Sequence, residues 1–333
     1  MFPSLRRLSR RRALVVSTAL LTLLGAALWW LFPFRETTPS GSLTFSTGLR
    51  NGVYQRYGEM LRDALHRDLP DVTVRLSDSH GSRMNLERIA NGDADFTIAT
   101  ADAVAAFQDQ RGTRQLRGCA RLYDDYVQLV VPADSPIERV SDLRGRKVGV
   151  GQQGSGVRLI AERLLRAAEI DPASDIRPVD AGIDTLPEKL RGGGVDAFFW
   201  SGGLPTGAVE TLAKSYPVRL VPLDRKLALK VISDSGGGVD DGYYRPAVIP
   251  ADAYHALRLA APVPTLAVAN LLVTTDRVDD ALVEGFTRTV IKSRDRIGRT
   301  VHPAQLVDLR TAIYTDPLDL HDGARRYYAS VKP

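Results

Sequence analysis

The 333-residue chain has one cysteine, Cys119. A single thiol makes no internal disulfide, and at that position it cannot carry an N-terminal lipid, so it reads as an inert buried group. Histidine is scarce too. His66, His80, His255, His302 and His321 pair with no Cys, Asp or Glu at metal spacing, and no His-Glu-x-x-His occurs; no catalytic metal or other cofactor is expected. The glycines of 147–157 are not followed by Gly-Lys-Ser/Thr, which excludes a phosphate P-loop there. Ser155 lies in Gly-Ser-Gly, short of the Gly-x-Ser-x-Gly that a nucleophile elbow needs. The paired carboxylates Asp124 and Asp125, and Asp240 and Asp241, read as solvated loop charges. Positive evidence for catalysis is poor, and the chain reads as a binding protein, not an enzyme. A hydrolase centred on Ser155 is the weakest of three readings.

Acid is missing from the first 12 residues, which carry Arg6, Arg7, Arg10, Arg11 and Arg12. Residues 13–34 are then apolar except for Ser17, Thr18 and Thr22. As a helix rising about 1.5 Å per residue they reach about 33 Å, enough for a bilayer core. The arginines predict residues 1–12 as a cytoplasmic tail, and Trp29 and Trp30 suit the outer interface. The run is longer than a usual signal peptide and no clear Ala-x-Ala ends it, so an uncleaved anchor is favoured over a cleaved signal. Arg11-Arg12 also loosely fits a twin-arginine export signal. Residues from about 43 onward are then extracytoplasmic. The net charge of +5 comes from 44 basic and 39 acidic residues. Without the five tail arginines the two signs balance, so the excess marks topology, not nucleic acid.

Residues 35–42 read as a linker, and the remaining length fits two lobes. The organising stretch is 147–157, KVGVGQQGSGV: a short strand, a Gly/Gln/Ser loop, then a predicted helix over 157–168 with apolar residues at helical spacing. The amides opening a helix have no partner inside it and suit an anion. The competing reading is a plain turn with Ser155 as N-cap. Strands are predicted at 43–47, 71–76, 96–100, 126–131, 197–200, 218–221 and 265–274. Further helices are predicted at 53–67, 84–90, 101–110, 206–215 and 281–294, with a last stretch ending at Tyr328. Residues 234–242 read as a mobile Gly/Asp-rich loop.

An internal echo runs through this order. Residues 43–53 repeat the strand, glycine-bounded loop and helix of 147–157. Ile89…Gly92…Asp95 before a strand recurs as Leu190…Gly193…Asp196 before 197–200. Two echoes in one order imply two similar α/β lobes of parallel βα units. Lobe 1 is placed at 43–131 plus 265–333 and lobe 2 at 132–264. Ligands of such sheets sit beyond the carboxyl ends of the strands. There the sequence offers Thr47, Gly48, Asn51, Ser79, Ser82, Arg83, Asn85, Thr100, Asp102, Ser155, Gly156 and Ser201, with Tyr54 and Trp200 as flat walls. Hydroxyls and amides beside aromatic rings suit a small-molecule cavity; turns and caps favour the same residue types.

Seven motifs in order carry a resemblance over nearly all of 43–328. They are Thr47-Gly48…Gly52-Val53-Tyr54, Gly81-Ser82-Arg83-Met84-Asn85-Leu86, Thr100-Ala101-Asp102 and Asp142-Leu143-Arg144-Gly145-Arg146-Lys147-Val148. Gly154-Ser155-Gly156, the aromatic-Gly-x-Pro segment ending at Pro205, and His321-Asp322-Gly323-Ala324…Tyr327-Tyr328 follow. Together they resemble the TAXI family, extracytoplasmic solute receptors of TRAP transporters. The resemblance implies a type II periplasmic-binding-protein fold, two lobes closing on a small carboxylate or acidic amino acid such as glutamate, and delivery to a TRAP permease. It implies ligand contacts from Thr47, Tyr54, Ser82, Thr100, Ser155 and Trp200. The chain departs from the family pattern at Leu49, Arg50, Asn51, His80 and Arg83. Arg50 or Arg83 either pairs with a carboxylate in a bidentate way or faces solvent. A membrane-anchored sensory module would need the same cleft and is the alternative to transport.

Overall fold

β3, Phe96–Thr100, is buried at every position, as expected of a strand covered on both faces by parallel βα units. It belongs to one ten-stranded sheet in a computed structural model that describes residues 17–18, 21–23, 39–50, 52–111, 115–235, 243–301 and 307–331. The account below concerns Pro39–Pro333, one compact unit. Of the apolar run 13–34 only Ser17, Thr18 and residues 21–23 are described, as helix. The basic tail, most of the predicted anchor, Asn51, His302 and most of the Gly/Asp-rich loop lie outside the described residues. No helix among the described residues is long and apolar enough to cross a membrane.

Beside β3 lie β1, Gly41–Ser46, and β2, Val72–Ser77. β1 pairs in parallel with both. At the other end β5, Lys147–Gly149, pairs in parallel with β6, Arg177–Val179, and β7, Ala197–Gly202. Two long strands join these ends, β4, Leu116–Pro132, and β10, Val263–Thr275, antiparallel to each other. The order is β2-β1-β3-β10-β4-β7-β5-β6, with β8, Val218–Val221, added to β4 and β9, Tyr244–Ile249, added to β10.

Helices cover the sheet at helical spacing. α1, Val53–Asp68, buries Tyr57, Leu61, Ala64 and Leu65. α2 is Ser82–Asn91 and α3 is Ala101–Arg111. α4, Gly156–Ala167, buries Val157, Ile160, Ala161, Leu164 and Leu165, one continuous apolar stripe. Each fully buried Leu or Ile of that stripe contributes roughly 2 kcal/mol. α5 to α9 are Leu186–Arg191, Gly207–Ser215, Arg225–Asp234, Asp280–Gly298 and Asp322–Val331.

The sequence echo has a physical cause. Gly92 and Gly193 both take left-handed backbone after a helix, at φ +84° and +70°. Each lets the chain reverse through a backbone conformation that L side chains rarely adopt. Three residues on, Asp95 accepts from the Thr44 amide at 2.7 Å, and Asp196 accepts from the Lys147 amide at 2.8 Å. The same carboxylate clamp thus holds the middle of β1 and the start of β5.

β4 corrects the expectation most. The sequence predicts only 126–131, because Arg117, Arg121, Asp124 and Asp125 break the apolar pattern before it. The strand nevertheless begins at Leu116. Asp124 is saturated there by ion pairs from Arg121 and Arg245, so its charge does not end the strand. Asp124 and Asp125 are therefore buried strand residues, not solvated loop charges. The cores show how β4 travels. Cys119, Ala120, Leu122 and Tyr123 pack with Phe45, Leu61 and Phe286, whereas Val127, Leu129 and Val131 pack with Val148, Leu164 and Phe199.

Candidate functional site

The carboxyl ends of β1, β3, β5, β6 and β7 converge on one cavity of about 680 Å³, part of it continuous with solvent. Of the sequence-predicted residues, Gly48, Tyr54, Ser82, Thr100, Ser155, Gly156 and Trp200 line it. With Ser201, also a lining residue, they come from both halves of the sheet, beyond the carboxyl ends of its strands.

Ser82 heads a chain of hydrogen bonds. Its Oγ accepts from the Thr100 amide at 3.2 Å and lies 3.3 Å from the Tyr54 hydroxyl. Tyr54 donates to Asn270 Oδ1, and Asn270 Nδ2 donates to the Tyr123 carbonyl at 3.3 Å. This chain ties α1 and α2 to both long strands. It also fixes the Tyr54 ring as a wall. Burial pushes the Tyr54 phenol well above its ordinary value, and the Asp125 charge adds to this. Trp200 is held by Nε1, which donates to Thr206 Oγ1 at 3.2 Å. A Cβ at Gly202 would lie 2.5 Å from that indole nitrogen, so only glycine fits beside it.

Among the helix starts at the cavity, those of α4 and α2 are built differently. α4 is capped by its own Ser155, whose Oγ accepts from the Arg158 amide at 3.1 Å and donates to the Gln152 carbonyl at 2.7 Å. The N-cap reading of Ser155 is thus realised at a residue that also lines the cavity. α2 begins at Gly81, φ +123°, with no side-chain cap. Its Arg83 and Met84 amides instead donate to the Gly154 carbonyl at 3.1 and 3.3 Å. That bond joins the loop after β5 to the loop after β2 over the cavity.

The other described candidates are not brought to the cavity. Thr47 is buried behind it. Its hydroxyl is engaged with Gln55 and the Ser77 carbonyl, and its own carbonyl accepts from Ser79 Oγ and Asn85 Nδ2 at 2.9 and 2.8 Å. Its work is to hold the loop that carries His80 and Gly81. Arg83 is largely exposed, 3.5 Å from Glu87 one helical turn on; Arg50 is almost fully exposed beside Asp78. Neither guanidinium lines the cavity. Asp102 is buried and accepts from the Tyr244 hydroxyl, with Arg163 Nη1 3.8 Å away. Asn51 lies outside the described residues.

Asp125 and Gln152 carried no sequence signal for the site, whereas Ser201 did. Asp125, Gln152 and Ser201 line the cavity, and Asp125 Oδ1, Gln152 Oε1 and Ser201 Oγ are buried there without a hydrogen-bond partner. Ser201 was among the candidate loop hydroxyls, but Asp125 was masked by the adjacent Asp124. Burial pushes the Asp125 carboxyl up to about 7, Asn270 offsets part of this, and the Asp124 and Asp102 charges raise it further. No Lys or Arg is among the described lining residues.

The chain aligns with several solved structures. An ancestral arginine-binding protein bound to arginine aligns with a TM-score of 0.50 at 14% identity, covering 78% of this chain and 97% of that one. The periplasmic aliphatic sulphonate binding protein SsuA from Escherichia coli gives 0.45 at 17% identity, covering 89% and 84%. The substrate binding protein of an amino acid ABC transporter gives 0.46 at 13%, covering 78% and 98%. The fold is α/β and periplasmic-binding-protein-like, with two lobes, as the sequence implied. Residues 45–330 match the NMT1-like family, and the chain belongs to that family.

Proposed function

We propose that the chain is an extracytoplasmic solute receptor of a TRAP-type secondary transporter, binding a small carboxylate-bearing molecule as its lobes close. One observation carries this reading: the loops ending β1, β3, β5 and β7 meet in a cavity walled by Tyr54 and Trp200. Fixed rings with a few placed hydroxyls and amides are the composition of a small-solute site. The start of α4, at Gly156 and Val157, borders the cavity, and a helix N-terminus favours a carboxylate. With Arg50 and Arg83 elsewhere, a second carboxylate would have no guanidinium partner, which favours ligands with a single one. The ligand supplies contacts that exist only in the closed state. Membership of the TAXI branch rests on the seven motifs, and the lobe borders at 131 and 265 on the sequence echo. We keep residues 13–34 as the membrane anchor; carbonate extraction of cell membranes tests this, and release into the soluble fraction would refute it.

Isothermal titration of the purified 333-residue chain against a panel of organic acids, amino acids and neutral metabolites tests the binding reading. At least one is expected to bind, with Gly156→Val abolishing it. A Cβ at Gly156 already meets Thr100 Oγ1 and Ser82 Oγ at 3.1 and 3.2 Å, so a branched side chain there blocks closure. Silence across the panel would sink the reading.

A further inference from the structure

The described lining residues include no Lys or Arg, and His80 among them is exposed. Burial raises the Asp125 carboxyl to about 7, so near neutral pH that acid is not fully charged. The wall therefore holds little fixed charge of either sign. Much of it is hydrocarbon: Leu49, Val53, Val157, Leu186 and the Trp200 ring. A cavity of about 680 Å³ is many times the size of the carboxylate that the start of α4 can hold, so the rest of the solute meets these side chains. One of them reaches across the site. Leu49 stands in the loop after β1, where the Gly52 amide closes a tight turn on the Leu49 carbonyl at 2.7 Å. Gly182 stands in the loop after β6, in the other half of the sheet. A Cβ at Gly182 would lie 2.5 Å from Leu49 Cδ1 and 2.7 Å from Asp184 Oδ1. The loop after β6 thus omits a side chain where Leu49 lands. Gly156, in the first turn of α4, faces Thr100 and Ser82 instead. The polar and the apolar contacts across the cavity therefore fall at different places.

We infer that Leu49 is the specificity residue of this cavity: seated on Gly182, it ends an apolar compartment, so the solute carries one carboxylate at α4 and a hydrocarbon tail whose length Leu49 sets. This rests on the receptor reading above and adds to it the chemistry of the solute's other end. A tail packed against Val53, Val157, Leu186 and Trp200 gains by leaving water. A second carboxylate in that place would be buried without a cation, which is costly. A tail that reached past Leu49 would have to lift that side chain off Gly182 and part the two loops. Overfilling a packed contact is destabilising, so affinity rises with tail length up to Leu49 and falls beyond it.

The test titrates the whole chain with straight-chain alkanoates from butanoate to decanoate and with the α,ω-dicarboxylates of the same lengths. Affinity for the alkanoates is expected to rise roughly fourfold with each added methylene and then to drop at a definite length. Each dicarboxylate is expected to bind at least about a hundredfold more weakly than the alkanoate of its own length. Leu49→Ala is expected to move the drop to tails longer by about two to three carbons, and the milder Leu49→Val by about one, since those are the carbons each change removes. The series on the unmodified chain needs no variant and decides the apolar-tail claim if neither variant folds. Dicarboxylates that bind as tightly as alkanoates, affinity that ignores tail length, or a drop that stays in place in folded Leu49→Ala each overturn the inference and leave the receptor reading standing. Silence from every alkanoate while other solutes bind also overturns the inference alone; silence from every acid, amine and neutral metabolite removes both.

Discussion

Asp102 and Asp125 are both buried acids, at 1% and 4% exposure, in two differently finished regions. Around Asp102 the partners are protein. Tyr244 donates to it, Arg163 donates to Tyr244 at 2.8 Å, and the same guanidinium lies over the Tyr244 ring. That cluster ties α3 to α4 and β9. Around Asp125 there is a cavity, and the oxygens that face it lack partners. Burial alone therefore does not mark a ligand site. An unpartnered oxygen alone does not mark one either, since Asp102 Oδ1 and the Tyr57 and Tyr123 hydroxyls are also buried without a hydrogen-bond partner; the mark is that state at the wall of a cavity.

The comparison predicts unequal costs. Asp102→Ala takes the acceptor from Tyr244 and the counter-charge from Arg163, and is expected to cost about 3 kcal/mol of unfolding free energy, measured by chemical denaturation. A loss below about 0.5 kcal/mol would show that the cluster is not what ties those elements together. Tyr54→Phe leaves Asn270 Oδ1 without its donor and is expected to cost about 1–2 kcal/mol; no change in the denaturation midpoint would break the Ser82–Tyr54–Asn270 chain as a structural feature. Asp125→Asn loses no ion pair, only the charge on its hydrogen bond with Asn270, and is expected to change the stability of the ligand-free chain by less than about 1 kcal/mol or to raise it.

The pH profile sharpens the same contrast. Asp125 is raised from 3.8 to about 7 in the folded state, so between those values the folded chain holds more protons than the unfolded one. Stability owed to this group is therefore highest at low pH, falls as pH rises from about 4 to about 7, and is level above that. The melting temperature of ligand-free protein, minus that of Asp125→Asn, should trace this decline. A flat difference profile would mean that the carboxylate has found a partner.

The sequence carried the fold where local chemistry repeats. The paired motifs Gly92…Asp95 and Gly193…Asp196 announced two like βα units because the same left-handed turn and the same carboxylate-to-amide clamp build both. Ser82, Ser155 and Gly156 were legible at the cavity because loops after parallel strands have little else to face. What was not legible depended on tertiary pairing. The first part of β4 looked like a charged loop until Arg245, 121 residues away in sequence, neutralised Asp124. Thr47 looked like a ligand contact, yet its hydroxyl is spent on Gln55 and Ser77. Asn270 carries no sequence signal; its place at a register shift in the pairing of β10 with β4 is what brings it to Tyr54. β9 and α7 went unseen, although α7 buries Ala228, Val231 and Ile232 at helical spacing behind its Asp224 cap.

The most direct test is a crystal structure of the chain grown with whichever acid probe binds. The account predicts electron density between Tyr54 and Trp200, with the ligand's carboxylate about 3 Å from the first amides of α4 and its apolar end toward Leu49. Density on an outer face, or a ligand whose carboxylate lies against Asp125, would contradict it.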